Sequence, residues 1–398
     1  MEIKRTDSSI SLDTSLNEIK LADSKECTGC GACVEACERS AISFEKQDDG
    51  FYYPVVDVNH CVKCLKCSKV CPVRNNTISR DINELYIFQH SNELDLKNSS
   101  SGGAFKALAD YILKLGGLVY GCAFSLDLRS VEHIRVSHIN ELKAIQKSKY
   151  IQSRANHLFS EIKQELNCNQ TVLFSGTPCQ VQALKKYLGR DFDNLLTCAI
   201  VCHGVPSESV WQSYIRELEN KFKARLVHFD FRDKSLGWHS YSVQAIFSNG
   251  KIYSSNHLVD PFMKCYLNNF SLRQSCYSCS FTGWRCGADI MLGDAWEYNN
   301  IEKINISRGV SEIWVFSNKG KALVEKLKSY NFFVLSLKPE EHEINNIEIP
   351  YNRDDFFADV NNGLVFSKLT KKYVRESIVL TTKRKIKNLI KKSILREQ

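Results

Sequence analysis

No stretch of this 398-residue chain approaches the ~18 consecutive apolar residues that span a bilayer. The apolar run LLTCAIVC at 195–202 is far too short and predicts a buried strand. The opening residues MEIKRTDSSISLDTSLNEIK contain no apolar core segment, so no secretory signal is expected. A G-x-G-x-x-G fingerprint is missing, which excludes a dinucleotide held in the Rossmann manner. The body also lacks the positive excess of a nucleic-acid binder. The whole chain is +8, yet residues 368–398 hold eleven Lys or Arg against two Glu, so the other 367 residues sum to −1. The basicity belongs to the tail, and nucleic acid is not an expected partner.

What the chain has in excess is cysteine, seventeen in all. Eight fall in CTGCGACVEAC (Cys27, Cys30, Cys33, Cys37) and CVKCLKCSKVCP (Cys61, Cys64, Cys67, Cys71, Pro72). Each half is C-x2-C-x2-C-x3-C, the spacing in which three thiolates of one loop hold a cubane and the fourth crosses to the other cluster. One [4Fe-4S] cluster is therefore expected on Cys27, Cys30, Cys33 and Cys71, and a second on Cys61, Cys64, Cys67 and Cys37. Disulfides or zinc ribbons would use cysteines in pairs, not in two sets of four. Glu38 stands where Pro72 stands in the second half, a difference that touches the local turn and not ligation. Cubanes and unpaired thiols predict an intracellular, cytoplasmic setting with little oxygen.

At 43% apolar the chain can bury more than one core, and its length suggests two or three domains. The pattern divides into a polar segment (1–23), a two-cluster ferredoxin-like module (24–80), two body segments (81–190 and 191–345) and an extension (346–398). Between the quartets, ISF, a DDG turn and FYYPVV predict a hairpin. In the body, LYIFQHS (85–91), LVYGCAF, VEHIRVSH, TVLFSG (171–176) and LLTCAIVC read as strands. NSSSGGAF opens a helix with Phe105, Leu108, Ile112 and Leu113 on one face, stopped by Gly116 and Gly117. QVQALKKYLG and the SESVWQSYIRELENKF run after Pro206 and Ser207 read as further helices. This alternation predicts an α/β layer with a mostly parallel sheet, whose strand-end loops bind ligands. Beyond Phe222, RLVHFDFRD and YSVQAIFSNGKIYSS read as paired strands of an α+β part.

The body adds CYSC (Cys276, Cys279), too little alone to hold a cubane. Cys179, in the GTPCQ loop, and Cys202, opening CHG, stand at the ends of apolar strands, so a third [4Fe-4S] cluster on Cys179, Cys202, Cys276 and Cys279 is expected. Cys286 is the rival for one position; buried apolar cysteines are the structural alternative. Cys122, Cys168, Cys198 and Cys265 read as structural. Cubanes pass one electron and most metabolites accept two, which calls for a flavin as converter. Ser101, Gly102 and Gly103 at a helix N-terminus, Lys149 in KSKYIQS and the Gly176, Thr177, Pro178 turn are candidates to hold its diphosphate; the alternative for the first three is an N-cap without a ligand.

In order behind the ferredoxin module, SGGAFKALADYIL, KSKYIQS, LFSGTPCQVQAL, CHGVPS with a following W..YI, FRDKSLGW and CYSC...ADIMLGDAW resemble the family of coenzyme F420 hydrogenase/dehydrogenase beta subunits. The resemblance covers roughly residues 25–340 and is greatest to a bacterial branch with a fused ferredoxin that tends to accompany surface-polysaccharide genes. It implies that 81–190 and 191–345 are similar to the N-terminal and C-terminal parts of such a beta subunit. It further implies FAD in the former, clusters in series and a two-electron substrate on the flavin. It also implies Cys179, Cys202, Cys276 and Cys279 as the ligand set. Family members act on coenzyme F420 or on chlorophyll intermediates.

The catalytic residue is left open, with His203 and Lys149 as candidates; His203 is otherwise a satisfied loop histidine. Asp233, Lys234, Trp238 and His239 line a substrate or form a charged turn, and Asp294 caps the cluster loop. In the tail, Ile386, Leu389, Ile390 and Ile394 share a lysine-flanked face, which fits peripheral contact with an anionic membrane or a partner-binding helix. The expected function is an iron–sulfur flavoprotein oxidoreductase passing electrons between a ferredoxin-like donor and an organic acceptor. Its rivals are a non-catalytic electron-transfer subunit of a larger redox or polysaccharide complex, and a redox-sensing scaffold at the membrane.

Overall fold

The computed structural model describes residues 19, 21–76, 84–155, 157–298, 304–329, 332–333 and 347–374. Most of the 1–23 segment and the basic face at 386–394 therefore lie outside the described residues. Among the described residues, no helix is long and apolar enough to cross a membrane.

The cysteine module is built twice from one pattern. Short helices α1 (Ala32–Glu35) and α2 (Lys66–Lys69) carry Cys33 and Cys67 at the same position. Between them β1 (Ile42–Lys46) and β2 (Tyr52–Val56) pair antiparallel, Ile42 opposite Val56. The DDG turn closes as expected, with Gly50 at φ +73° and its amide on Gln47 O at 2.8 Å.

The body begins with β3 (Glu84–Phe88), α3 (Glu93–Lys97), α4 (Ala104–Lys114), β4 (Leu118–Phe124), β5 (Val131–Val136), β6 (Ser153–Arg154) and α5 (Leu158–Asn167). It continues through β7 (Val172–Gly176), α6 (Pro178–Leu188), β8 (Leu195–Ile200) and α7 (Glu208–Phe222). Then come β9 (Leu226–Asp233), β10 (Ser242–Phe247), β11 (Ile252–Asn256), α8 (Pro261–Leu267), β12 (Ile290–Asp294), β13 (Ser311–Val315), α9 (Asn318–Glu325) and β14 (Phe332–Phe333). The chain closes its described part with α10 (Arg353–Asn361) and α11 (Phe366–Tyr373).

One nine-stranded sheet organises the body, in the order β14-β3-β13-β12-β8-β7-β4-β5-β6. Its centre, β12, β8, β7 and β4, is parallel, and the apolar runs there are buried on both sides, as parallel sheets require. Strand periodicity sends Leu173 to one face with α4 and α9, and Val172 and Phe174 to the other with α5 and α6. The flanks are antiparallel, with β5 on β4, β13 on β12, β3 on β13 and β14 on β3, except the edge strand β6, which runs parallel to β5. The expected mostly parallel sheet is thus mixed. The expected boundary at 190/191 also disappears, because strands from both sides of it alternate within the one sheet.

A second sheet, β11-β10-β9, packs with α7, α8, α10 and α11 around Trp211, which touches Phe124, Phe229, Phe231 and Phe262 at centroid distances of 4.8–5.7 Å. Residues 353–373, expected as part of an extension, are therefore core. Phe51, Tyr53 and Cys27 of the cysteine module join the same core. Arg273 fixes that junction. Only 1% exposed, it donates to Cys27 O at 2.6 Å, Tyr52 O at 3.0 Å and Gln152 Oε1 at 3.0 Å. Its guanidinium carbon lies 4.2 Å from the Tyr53 ring centre.

Arg273→Met keeps the stem and removes the donors, leaving three acceptors at a buried junction. The expected loss is about 3 kcal/mol or more, read as a lower denaturant midpoint at unchanged slope under anaerobic conditions.

Candidate electron-transfer site

The two ligand loops adopt matching backbones. Gly29 and Gly31 of the first have φ of +66° and +86°; Lys63 and Leu65, their counterparts in the second, have +53° and +62°. The left-handed turns let backbone amides face sulfur: Gly29 N on Cys27 Sγ at 3.4 Å, Lys63 N on Cys61 Sγ at 3.4 Å and Ala41 N on Cys37 Sγ at 3.3 Å. Such bonds favour a thiolate. Opposing them, burial pushes the Cys30 thiol up to about 12, and the nearby thiolates of Cys27, Cys179 and Cys71 push the same way. Cys33 is raised by burial and by Cys30, Cys27, Cys71 and Cys67. Cys67 is raised by burial, Cys37 and Cys64. Cys33 thus feels the three residues expected with it and also Cys67 across the two sets. Iron is the cation that would relieve this crowding of buried sulfurs, so the donor set fits two cubanes. Among the described residues no three His, Cys, Asp or Glu side chains converge tightly enough for a single metal ion. Thiolates at the corners of a cubane stand further apart than that.

The third set gathers at the carboxyl ends of β7 and β8. Thr177 caps α6 in a capping box with Gln180, and Pro178 occupies the first turn. Cys179 follows at the helix start, its sulfur 3.1 Å from Thr177 Oγ1. Cys202 leaves β8, and the loop after it runs beside 272–276 through the Pro206–Leu272 bridge and Arg273 N on Val205 O at 3.0 Å. A Cβ on Gly204 would lie 3.2 Å from Cys276 Cβ, so that glycine keeps the two segments close. Burial raises all four thiols, Cys179, Cys276 and Cys279 to about 11 and Cys202 well above its usual range. Cys202 feels Cys276, Cys179 and Cys279. Cys286, the rival, lies in the core on the α6 side of the sheet, where Cys198 feels it.

The residues expected to hold a diphosphate are engaged within the fold. Gly102 donates its amide to Ser311 Oγ at 2.9 Å, and a Cβ there would meet Phe88 O at 2.2 Å and Ser311 N at 2.5 Å. Its smallness serves backbone packing. Ser101 Oγ donates to Val310 O, and Gly103 is the left-handed residue before α4. Lys149 donates to Gln146 O at 2.7 Å and Lys147 O at 3.3 Å; burial lowers its ammonium. Gly176, Thr177 and Pro178 form the cap that presents Cys179. These groups do not fit a free anion cradle. His203 makes a contact to Asn269 Oδ1 at 2.8 Å and an edge contact with Tyr266 at 5.2 Å, the satisfied loop histidine.

Four sequence motifs meet instead around Arg232 of FRDK, a residue that the sequence gives no reason to single out. It is 3% exposed and reaches Asp294 of LGDAW at 3.0 and 3.2 Å, Tyr150 Oη of KSKYIQS at 3.1 Å and Ser100 O of the SSSGG loop at 3.2 Å. It lies over Tyr241 at 4.2 Å and Trp296 at 5.2 Å. Its Nε has no partner. Asp294 therefore orients this arginine and not the cluster loop. Lys234 donates to Leu96, Ser101 and Arg308 carbonyls at 2.7–2.9 Å, and burial with Arg232 and Lys147 nearby pulls it down to about 7. Asp233 accepts from Ser235 N at 3.2 Å, a turn. Trp238 stacks on Trp296 at 4.2 Å, with His239 4.8 Å away. Tyr150 stacks on Tyr266 at 4.9 Å, and Tyr266 feels Cys202 and Cys276. A ladder of rings thus joins the third cysteine set to Arg232.

Comparison with known proteins agrees with the two-part reading. Residues 26–75 match the model of the 4Fe-4S dicluster domain, and residues 169–341 that of the C terminus of the coenzyme F420 hydrogenase/dehydrogenase beta subunit. The chain is 20% identical over 166 residues to the F subunit of F(420)H(2) dehydrogenase from Methanosarcina mazei, 40% of this chain and 47% of that protein. It therefore spans about half the length of that relative. An uncharacterized ferredoxin of Methanocaldococcus jannaschii is 35% identical over 52 residues, 13% of this chain and 66% of that one. Against the F420-reducing [NiFe] hydrogenase complex from Methanosarcina barkeri, the TM-score is 0.46 at 13% identity, over 74% of this chain and 93% of that chain.

Beside Asp294, Glu312 is buried on β13, and burial with Glu297 and Asp294 pushes its carboxyl up to about 7. An unfolded carboxyl loses its proton near pH 4.5. Stability from the neutral form is thus present below that pH and lost as pH rises through about 7. Glu312→Gln should raise Tm only slightly at pH 5 and clearly at pH 8, by about 1–3 kcal/mol in stability at the higher pH, in matched cluster-loaded samples.

Proposed function

We propose that this chain, whose residues 26–75 match the 4Fe-4S dicluster domain and whose residues 169–341 match the C terminus of the coenzyme F420 hydrogenase/dehydrogenase beta subunit, is an iron–sulfur oxidoreductase linking a ferredoxin-like carrier to a two-electron organic acceptor. The observation that carries the proposal is the succession of cysteine sets from surface to interior. Cys64 is exposed; Cys33 and Cys67 join the outer set to the inner one; Cys30 and Cys179 join the inner one to the third. Cys276 of the third set stands one helical turn from Arg273, whose side chain bonds Cys27 O of the inner loop, so the three sets follow one another in the order that single-electron relay between clusters would need.

In this reading Cys37, Cys61, Cys64 and Cys67 hold the outer cluster, Cys27, Cys30, Cys33 and Cys71 the inner one, and Cys179, Cys202, Cys276 and Cys279 the third. Tyr266 and Tyr150 lead from there to Arg232. That guanidinium is buried and neutralised by Asp294, and holds together the stretches of chain that meet beside half-exposed Trp296. FAD, which the resemblance implies, supplies exchange between one-electron and two-electron steps when bound. The residues expected to cradle its diphosphate are occupied by internal hydrogen bonds. The same observation favours a second reading, a non-catalytic electron-transfer subunit that completes its acceptor site with a partner.

Iron, sulfide and flavin measured on one anaerobic preparation separate the two. About twelve irons with one flavin supports the oxidoreductase; about twelve irons without flavin, and no turnover with small acceptors, supports the non-catalytic reading. Cys179→Ser is expected to lower iron to about eight per chain and remove one cubane signal from the reduced spectrum. Unchanged iron in that variant would refute the third ligand set.

A further inference from the structure

The outer face of the ferredoxin module does not end at its own surface. A groove of 780 Å³ runs between it and the body. One wall carries Ala36 and Glu38, on either side of Cys37, Lys66 just before Cys67, and Lys69 and Val70 leading into Cys71. The other is formed by the outer sides of α5 and α6. Six cations line the groove, Lys66, Lys69, Lys163, Lys185, Lys186 and Arg190, against three carboxylates. Two of those carboxylates are already engaged: Glu35 accepts from Ser160 N at 3.0 Å and Phe159 N at 3.3 Å, capping α5, and Glu38 pairs with Lys66.

Small-molecule pockets are mostly apolar, with a few polar groups that fix orientation. This groove is open and lined chiefly by charge, and its wall passes within one residue of ligands from both N-terminal sets. Those features suit a macromolecular surface of opposite sign that exchanges electrons across it.

We propose that this groove is the docking surface for an acidic one-electron carrier protein of the ferredoxin class, seated against the Cys37 and Cys67 side of the module. The proposal rests on the reading of the chain as an iron–sulfur electron-transfer protein. In the step, one electron leaves the reduced centre of the carrier and one enters the cluster; no bond or proton changes place. The positive groove steers the carrier and holds it where ligands of both clusters approach the surface.

The test uses the full chain loaded with iron and sulfide, mixed anaerobically by stopped flow with a reduced acidic ferredoxin and, separately, with reduced methyl viologen, a small cation with no need of a basic groove. Lys69→Glu, Lys163→Glu and Arg190→Glu together reverse three exposed charges, of which only Lys69 lies in a ligand loop. The second-order rate with ferredoxin should fall by about tenfold or more at low ionic strength and lose most of its salt dependence, with viologen reduction and iron content unchanged. An unchanged ferredoxin rate at equal iron content would overturn the docking surface. If the triple variant loses iron, Lys69→Glu and Arg190→Glu are read singly, each expected to slow ferredoxin reduction about two- to fivefold; no slowing in either likewise overturns it. Wild-type clusters that neither donor reduces would instead sink the electron-transfer reading itself.

Discussion

A single guanidinium decides how the two halves of this molecule meet. Arg273 joins the inner ligand loop at Cys27, the hairpin at Tyr52 and the body at Gln152, and it begins the segment that carries Cys276 and Cys279. Its partners are neutral carbonyl and amide oxygens and two aromatic rings. A buried cation without an anion is expensive. Thiolate-ligated clusters are net anions, and Arg273 sits where it lowers the thiol pKa of both Cys179 and Cys276. Clusters bound at the neighbouring cysteines, as proposed above, would supply the countercharge that the polypeptide omits. Docking of the module, register of the third cysteine set and electrostatic balance at the junction rest on one side chain.

Much of this is legible locally. The quartets, the DDG hairpin, the Gly116 and Gly189 helix stops and the apolar strands at 172–176 and 195–200 all carry their signal within a few residues. Pairing across the sheet does not. Nothing in LYIF announces that it will lie antiparallel to β13, more than two hundred residues later, and no pattern distinguishes Arg273 or Arg232 from a surface arginine. The helices at 353–373 fall in the expected extension because a basic run follows them, although Phe356, Phe357, Phe366 and Leu369 are buried.

Glycine gives the most instructive misreading. The SSSGG loop carries the small residues that a phosphate cradle needs, and small residues also allow backbone to approach backbone. At Gly102 the second use is realised, against Phe88 and Ser311. The motifs of the body are explained better by Arg232, whose contacts come from four separated stretches of chain. Each motif supplies one contact, so none could be understood alone.

The matching loops of the module differ in one respect. Gly29 and Gly31 take left-handed turns freely, whereas Lys63 and Leu65 hold the same turns at a cost of about 1–2 kcal/mol each. Bound metal must offset that strain in the second loop, and this loop also holds exposed Cys64. Any oxidant that strips iron thus finds the outer cluster both nearest to hand and least willing to keep its shape. In the proposed reading, loss of iron would therefore begin at the second loop and not at the first.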